Sequence, residues 1–67
     1  MDLRLYLAHF KPSERSNQRA QLASLLQVSR QTVHNWEVRR HRPRTKFFKT
    51  LQTWSNQKIT WEAIYDP

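Results

Sequence analysis

The chain has 67 residues and no cysteine, which predicts one small domain over residues 1–67 and excludes disulfides and thiolate metal sites. Its 12 Lys and Arg residues against 5 Asp and Glu residues give a formal net charge of +7, and six of those bases lie within residues 39–49, hereafter the basic segment. This charge favours a polyanionic partner that meets one face of the protein. The apolar runs are too short for a transmembrane span. The lack of disulfides is typical of the cytoplasm.

The first predicted element is a short helix that Asp2 caps and that runs to Phe10. Its apolar stripe consists of Leu3, Leu7 and Phe10. Leucines also alternate here, which is compatible with a strand, but we favour a helix because nothing else in the chain is typical of a pairing strand. We expect no signal peptide, since charged and aromatic residues interrupt this apolar run. Pro12 should end the helix, and residues 11–17 are expected to form a polar loop.

A second helix is predicted to run from Ser16 or Asn17, both good caps, to Leu26. After a turn of three residues, a third helix is predicted from residue 30 to about residue 38, and Ser29 is its expected N-cap. The two helices and the short turn between them form the centre of the chain.

Residues 39–42 are a basic connection, and Pro43 is expected to open a fourth helix because its missing N–H is not needed in the first turn. That helix carries Phe47, Phe48, Leu51 and Trp54. Residues 55–58 should break it, and Thr60 is the expected cap of a short last helix with Trp61, Ile64 and Tyr65. The fold class that follows is all-α, a compact bundle of about five short helices.

The second and third predicted helices have the features of a helix-turn-helix, in which two helices cross closely beside a short turn. Ala23 is a small residue that permits close approach, and Val28 can fill the turn. At about 100° per residue, Val33 and Trp36 fall on the inner side of the third helix. The opposite side, hereafter the outer face, consists of Arg30, Gln31, His34, Asn35 and Val38. This face is almost wholly polar, and arginine, glutamine and asparagine are residue types that read base edges in the major groove.

The run QLASLLQVSRQTVHNWE at residues 21–37 resembles the helix-turn-helix of the Cro/CI (XRE-like) family of phage and bacterial repressors. The opening QRAQLA and the short first helix are similar to small Cro-like and YdaS-like members of that family. Residues 39–48 are similar to the loop and fourth-helix start of its phage repressors, so the resemblance spans residues 18–48. The chain departs from the family at Gln27, where glycine is usual because that residue often takes a positive φ, at a cost of about 1 kcal/mol for other residues.

The resemblance implies site roles position by position. Its main base-reading positions match Arg30, Gln31 and Asn35, and a weaker one matches His34. Its contacts to the DNA backbone match Arg19, Ser29, Arg39, Arg40, Arg42 and Arg44. Glu37 matches an acid that the family often pairs with an arginine of the first helix, for which Arg4 and Arg15 are both candidates.

We therefore expect a regulator that binds double-stranded DNA in a sequence-specific way, most simply a repressor or autorepressor that occludes a promoter. One such helix reads few base pairs, so we expect a homodimer on an inverted-repeat operator whose half-sites lie about one helical turn apart. The expected dimer surface consists of Ile59, Trp61, Ile64 and Tyr65. Base stacking by Trp61 or Tyr65 is a less favoured alternative, and Trp36 and Trp54 are expected in the core.

The sequence is also compatible with two other classes of binding protein. A nonspecific basic nucleic-acid-binding protein would use the charge alone, and an antitoxin or an accessory regulator such as an anti-CRISPR-associated repressor would share the DNA chemistry. An enzyme is not expected, since no nucleophile or acid–base pair is assembled, and we expect no cofactor and no small-molecule substrate. We expect no zinc site, because His9, His34 and His41 lack ligand spacing. The expected location is the bacterial cytoplasm or nucleoid, with a phage or bacterial origin both open.

Overall fold

The computed structural model describes residues 1–66, and within that range the chain forms five α-helices and one 3-10 turn without a strand. The helices are α1 (Leu3–Ala8), α2 (Pro12–Leu26), α3 (Arg30–Glu37), α4 (Phe48–Trp54) and α5 (Trp61–Tyr65), and the 3-10 turn is Thr45–Phe47. This confirms the prediction of an all-α bundle of about five short helices, and it confirms a helix for the first element. No helix in this part of the chain is long and apolar enough to cross a membrane.

α1 begins at the predicted cap, because a carboxylate oxygen of Asp2 accepts a hydrogen bond from a backbone N–H of the first turn at 3.0 Å. Leu3 and Leu7 are buried, as the predicted stripe requires. The helix stops short of the predicted Phe10. At that end the Nε of Arg15 donates to the carbonyls of Leu7 and Phe10, at 3.1 Å each, and a cation there complements the helix dipole.

α2 begins at Pro12 rather than at Ser16 or Asn17, so the prediction of a polar loop over residues 11–17 is wrong. Proline is favoured at the first helical position, because its fixed φ suits the helix and the N–H that it lacks has no partner there. Pro12 therefore opens a helix instead of only ending one. As a result, Ser16 and Arg19 lie one turn apart inside a continuous helix.

The turn between α2 and α3 depends on a left-handed residue. Gln27 has φ 56° and ψ 43°, and the N–H of Val28 then reaches the carbonyl of Ala23 at 3.0 Å. A side chain other than glycine in this conformation costs about 1 kcal/mol, which the contacts of the two helices offset. Ser29 caps α3 as predicted, because its hydroxyl oxygen accepts from the N–H of Thr32 at 3.1 Å.

The segment between α3 and α4 stays largely non-helical. The prediction that Pro43 opens the fourth helix is wrong: Pro43 is buried in a stretch without regular secondary structure, and its carbonyl accepts a hydrogen bond from the Tyr65 hydroxyl at 2.8 Å. The chain turns into a 3-10 conformation at Thr45, and α4 begins at Phe48. α5 starts after its predicted cap, Thr60, whose hydroxyl oxygen accepts a backbone N–H at 3.3 Å.

One hydrophobic core joins the helices. Its buried members are Leu3, Leu7, Leu22, Ala23, Leu26, Val33, Trp36, Leu51 and Ile59, and Trp54 and Ile64 pack against them. Ser55 is also fully buried, and it is satisfied locally: its hydroxyl donates to the Gln52 carbonyl at 3.2 Å and accepts the Ile59 N–H at 3.1 Å. The two tryptophans expected in the core, Trp36 and Trp54, do contact it.

Candidate nucleic-acid interface

The outer face of α3 is open to solvent, whereas the opposite side of the helix packs on α2. Val33 and Trp36 on the inner side are 0% and 7% exposed. The exposed members of the outer face are Arg30, Gln31, His34 and Val38, and Asn35 is half-buried. The predicted division of α3 into an inner and an outer side is confirmed by this burial, while base reading by the outer residues stays a prediction.

Two hydrogen bonds orient side chains of the outer face. The guanidinium of Arg30 donates to the Ser16 hydroxyl at 2.7 Å, and the amide nitrogen of Gln31 donates to the amide oxygen of Asn35 at 3.2 Å. Within residues 1–66, the amide oxygen of Gln31 and the amide nitrogen of Asn35 have no protein partner. These groups therefore keep one acceptor and one donor group for a ligand.

Ser16 belongs to this candidate interface, although the sequence predicts it only as a helix cap. The usable signal was the proline at position 12, since a helix that starts there carries Ser16 in its second turn. Ser29 lies at the same end of α3, and its exposed hydroxyl lies 2.9 Å from the Thr32 hydroxyl besides capping the helix. Its contact with a DNA phosphate stays a prediction.

Glu37 forms a bidentate ion pair with Arg19, and this pair ties the end of α3 to α2. The Nε and one terminal nitrogen of Arg19 donate to the two carboxylate oxygens at 2.6 and 2.8 Å. The predicted candidates Arg4 and Arg15 are wrong, because the partner is Arg19, one turn after Arg15 on α2. Arg15 instead holds the end of α1. Since the Arg19 guanidinium is engaged here, any contact of Arg19 with a phosphate has to share it with Glu37.

The ion pair also sets the ionisation of its members. Hydrogen bonds from Arg19 hold the pKa of Glu37 below its ordinary value, against the opposing effect of partial burial. The pKa of Arg19 is raised by the same contact. His34 contributes a nitrogen 3.9 Å from a Glu37 carboxylate oxygen, at the boundary between this pair and the outer face. Glu37 therefore stays a carboxylate at neutral pH. It holds the guanidinium of Arg19 in place and does not contribute to the outer face.

The basic segment starts in a tight turn that closes the end of α3. The carbonyl of Asn35 accepts the backbone N–H groups of Arg40 and His41 at 2.9 and 3.3 Å. Arg39 takes a left-handed conformation, with φ 62°, to make this turn. The turn keeps the first arginines of the basic segment directly beside the outer face.

Arg39 differs from the other arginines that were predicted to contact the DNA backbone. Its Nε donates to a carboxylate oxygen of Asp2 at 2.7 Å, so it links the end of α3 to the cap of α1. Within residues 1–66, no ion pair engages Arg40, Arg42 or Arg44, and all three are exposed. The cations available to a polyanion are therefore mainly those that follow Arg39.

A groove of about 290 Å³ separates α3 from the basic segment. It is lined by Val28, Thr32, Trp36, Arg42, Arg44 and Phe47. The rings of Trp36 and Phe47 lie 5.9 Å apart among its apolar lining residues, and Thr32, Arg42 and Arg44 are the lining residues whose side chains carry hydrogen-bond donors. An oxyanion such as a backbone phosphate suits such a donor set. The turn, α3 and the basic segment therefore all contribute residues to the lining of this groove.

The predicted dimer surface is only partly exposed. Ile59 is wrong as an interface residue, because its side chain is 0% exposed and belongs to the core of the single chain. Trp61 is 45% exposed, and its ring lies 5.2 Å from that of Phe48 and 4.3 Å from that of Tyr65. Burial raises the pKa of Tyr65, whose hydroxyl donates to the Pro43 carbonyl. A dimer contact of Trp61, Ile64 and Tyr65 stays a prediction.

Over residues 1–66, no three His, Asp or Glu side chains come together as a potential metal site. Comparison of the chain with protein-family models, with curated proteins and with solved structures finds no match.

Proposed function

We propose that the protein is a transcriptional regulator that binds double-stranded DNA in a sequence-specific way, with α2, the three-residue turn and α3 acting as a helix-turn-helix. The observation that carries this proposal is the outer face of α3. It presents Arg30, Gln31, His34 and Asn35 to solvent from a helix whose other side is anchored by Val33 and Trp36. A rigid helix with hydrogen-bonding side chains of these types suits the major groove.

The basic segment supplies affinity in this proposal, and the outer face supplies specificity. Contacts with phosphates fix the register of a protein on DNA, whereas contacts with base edges distinguish sequences. Arg40, Arg42 and Arg44 are exposed beside the end of α3, and the groove with the Thr32 hydroxyl offers a place for one phosphate. Gln31 and Asn35 retain the acceptor and the donor that suit the adenine edge.

The protein acts as a homodimer in this proposal, because one helix reads too few base pairs to address a genome. A two-fold dimer reads an inverted repeat whose half-sites lie about one helical turn apart. The exposed ring of Trp61, next to Phe48 and Tyr65, supports an interface at the start of α5. Such a dimer represses by covering a promoter, its own among them. An accessory regulator of the anti-CRISPR-associated kind would have the same DNA chemistry at other target genes.

Selection of bound duplexes from a random DNA pool, at near-physiological salt, tests the proposal. Enrichment of an inverted repeat with half-sites about one turn apart is the expected result. Enrichment of a lone half-site would retain the regulator and remove the dimer. Binding without enrichment, which weakens steeply as salt rises, would refute sequence specificity and favour a nonspecific nucleic-acid-binding protein.

Substitution of Gln31 then checks which surface reads the sequence. Gln31→Ala should relax the preference at one base pair by about 1–3 kcal/mol while the rest of the motif stays. Thr53→Ala is the matched control, since Thr53 is an exposed polar residue on α4. An unchanged motif with Gln31→Ala would refute the role of the outer face.

A further inference from the structure

Val38 is an exposed aliphatic side chain on an otherwise polar outer face. The residue is 44% exposed, and it lies between the end of α3 and the arginines of the basic segment. At about 100° per residue, Val38 and Gln31 lie within about 20° of each other around the helix axis, directly opposite the buried Val33 and Trp36. An apolar group in the middle of this face needs a different kind of partner from its neighbours.

The end of α3 holds Val38 in this position. Its N–H bonds to the carbonyl of His34 at 3.0 Å, and its φ of −84° and ψ of 6° continue the turn of the helix. The following N–H groups of Arg40 and His41 close on the carbonyl of Asn35. Val38 is therefore fixed between the polar side chains of the outer face and the first exposed arginines of the basic segment.

The spacing between Gln31 and Val38 can be compared with that of DNA. Seven residues of α-helix span about 10.5 Å. Base pairs are about 3.4 Å apart along the duplex, so this distance corresponds to about three base pairs when the helix lies along the groove. The exposed cations after Val38 favour an approach in which this end of α3 is also close to the DNA backbone.

We propose that Val38 determines specificity by packing against the 5-methyl group of a thymine, at most about three base pairs from the base pair that Gln31 reads. Among the four bases, thymine alone presents a methyl group in the major groove, and apolar side chains recognise it. This inference rests on the proposed function, and it assigns to Val38 a partner that the polar residues of the outer face cannot select.

Replacement of thymine by deoxyuridine removes this methyl group and no hydrogen-bonding atom. The probe is the duplex enriched from the random pool, with each thymine replaced in turn. Replacement at the thymine next to Val38 should weaken binding of the wild-type protein about fourfold, which is the loss of one buried methyl of about 0.8 kcal/mol at about 1.4 kcal/mol per tenfold. Val38→Ala should bind the thymine and deoxyuridine duplexes within about twofold of each other, because the substitution removes the two γ-methyl groups that pack on the thymine methyl.

Leu25→Ala is the matched control, since Leu25 is a similarly exposed aliphatic residue (55%) that lies on α2 rather than on the outer face. It should keep the full discrimination between thymine and deoxyuridine, and circular dichroism checks that both variants are folded. The inference is overturned if no single thymine methyl affects binding, or if Val38→Ala keeps the wild-type discrimination, even when the motif and the effect of Gln31→Ala stand. A pool without any enriched sequence overturns the proposed function and this inference together.

Discussion

The ion pair between Arg19 and Glu37 should make a measurable contribution to stability. Glu37→Gln keeps the shape of the side chain and removes its charge, so Arg19 is left facing a neutral amide. The two side chains are 27% and 15% exposed. The pair therefore lies between a surface pair, worth about 0–1 kcal/mol, and a buried pair, whose rupture costs about 3–5 kcal/mol. We expect the free energy of unfolding at pH 7 to fall by about 2 kcal/mol, as for the loss of a charged hydrogen bond.

Thermal unfolding followed by circular dichroism measures this loss. In a domain of this size, about 1 kcal/mol corresponds to a change in Tm of about 4–8 °C, so Tm should fall by about 8–16 °C. Glu14→Gln is the matched control, because Glu14 is exposed in the first turn of α2 and makes no ion pair within residues 1–66. Its favourable interaction with the helix dipole is worth about 0.3–1 kcal/mol, so its effect should be smaller.

The pH dependence separates the charge of Glu37 from a packing effect. Because Arg19 lowers the pKa of Glu37 in the folded protein, this group adds stability above the pKa of the unfolded chain. That stability is lost as the pH falls through the lower, folded pKa. The difference in Tm between the wild type and Glu37→Gln should thus be largest at pH 7 and shrink steadily below the ordinary value of 4.5. A difference that stays constant down to pH 3, or a variant as stable as Glu14→Gln at pH 7, would refute this reasoning.

Three further substitutions test other features of the structure. Gln27→Gly should raise the free energy of unfolding, measured by denaturant titration, by up to about 1 kcal/mol, because φ is 56° at this residue. A lower free energy of unfolding would contradict the strain at this turn. Asp2→Ala should lower the free energy of unfolding by about 1–2 kcal/mol through loss of the cap, whereas Asp2→Asn keeps a cap and isolates the ion pair with Arg39; equal losses would show that the cap contributes nothing. Arg42→Ala should weaken binding to all duplexes alike and reduce the slope of log affinity against log salt by about 1. Lys11→Ala, at an exposed basic residue outside the basic segment, is the control. An effect of Arg42→Ala that is confined to one base pair would contradict a phosphate contact.

The parts of the fold that depend on neighbouring residues could be predicted from the sequence. Ser29 and Thr60 cap helices through backbone groups three residues away, so the pattern of residues contains the whole interaction. Val33 and Trp36 were placed on the inner side of α3 by helical geometry alone, and their burial agrees. The outer face followed from the same periodicity.

The parts that depend on distant contacts could not be predicted in this way. Pro12 and Pro43 are compatible with both the start and the end of a helix, and what the surrounding chain packs against decides between them. The partner of Glu37 lies 18 residues away, and because the resemblance matches Arg19 to a phosphate contact, its ion pair with Glu37 was not predicted. Ile59 is apolar and close to the C-terminal end of the sequence, where the core and an interface look alike.

The charges of the chain divide into a structural and an exposed set, and this division supports the proposed function. Glu37 and Asp2 engage Arg19 and Arg39, and these two ion pairs hold the C-terminal end of α3 against α2 and against the cap of α1. Both acids lie outside the basic segment, so they leave the positive charge of the exposed residues around Arg42 in place. Loss of a structural arginine should therefore reduce stability first, whereas loss of an exposed one should reduce affinity first. Under the proposed function, substitutions in the exposed set should therefore change the strength of DNA binding with little effect on the fold that positions the outer face.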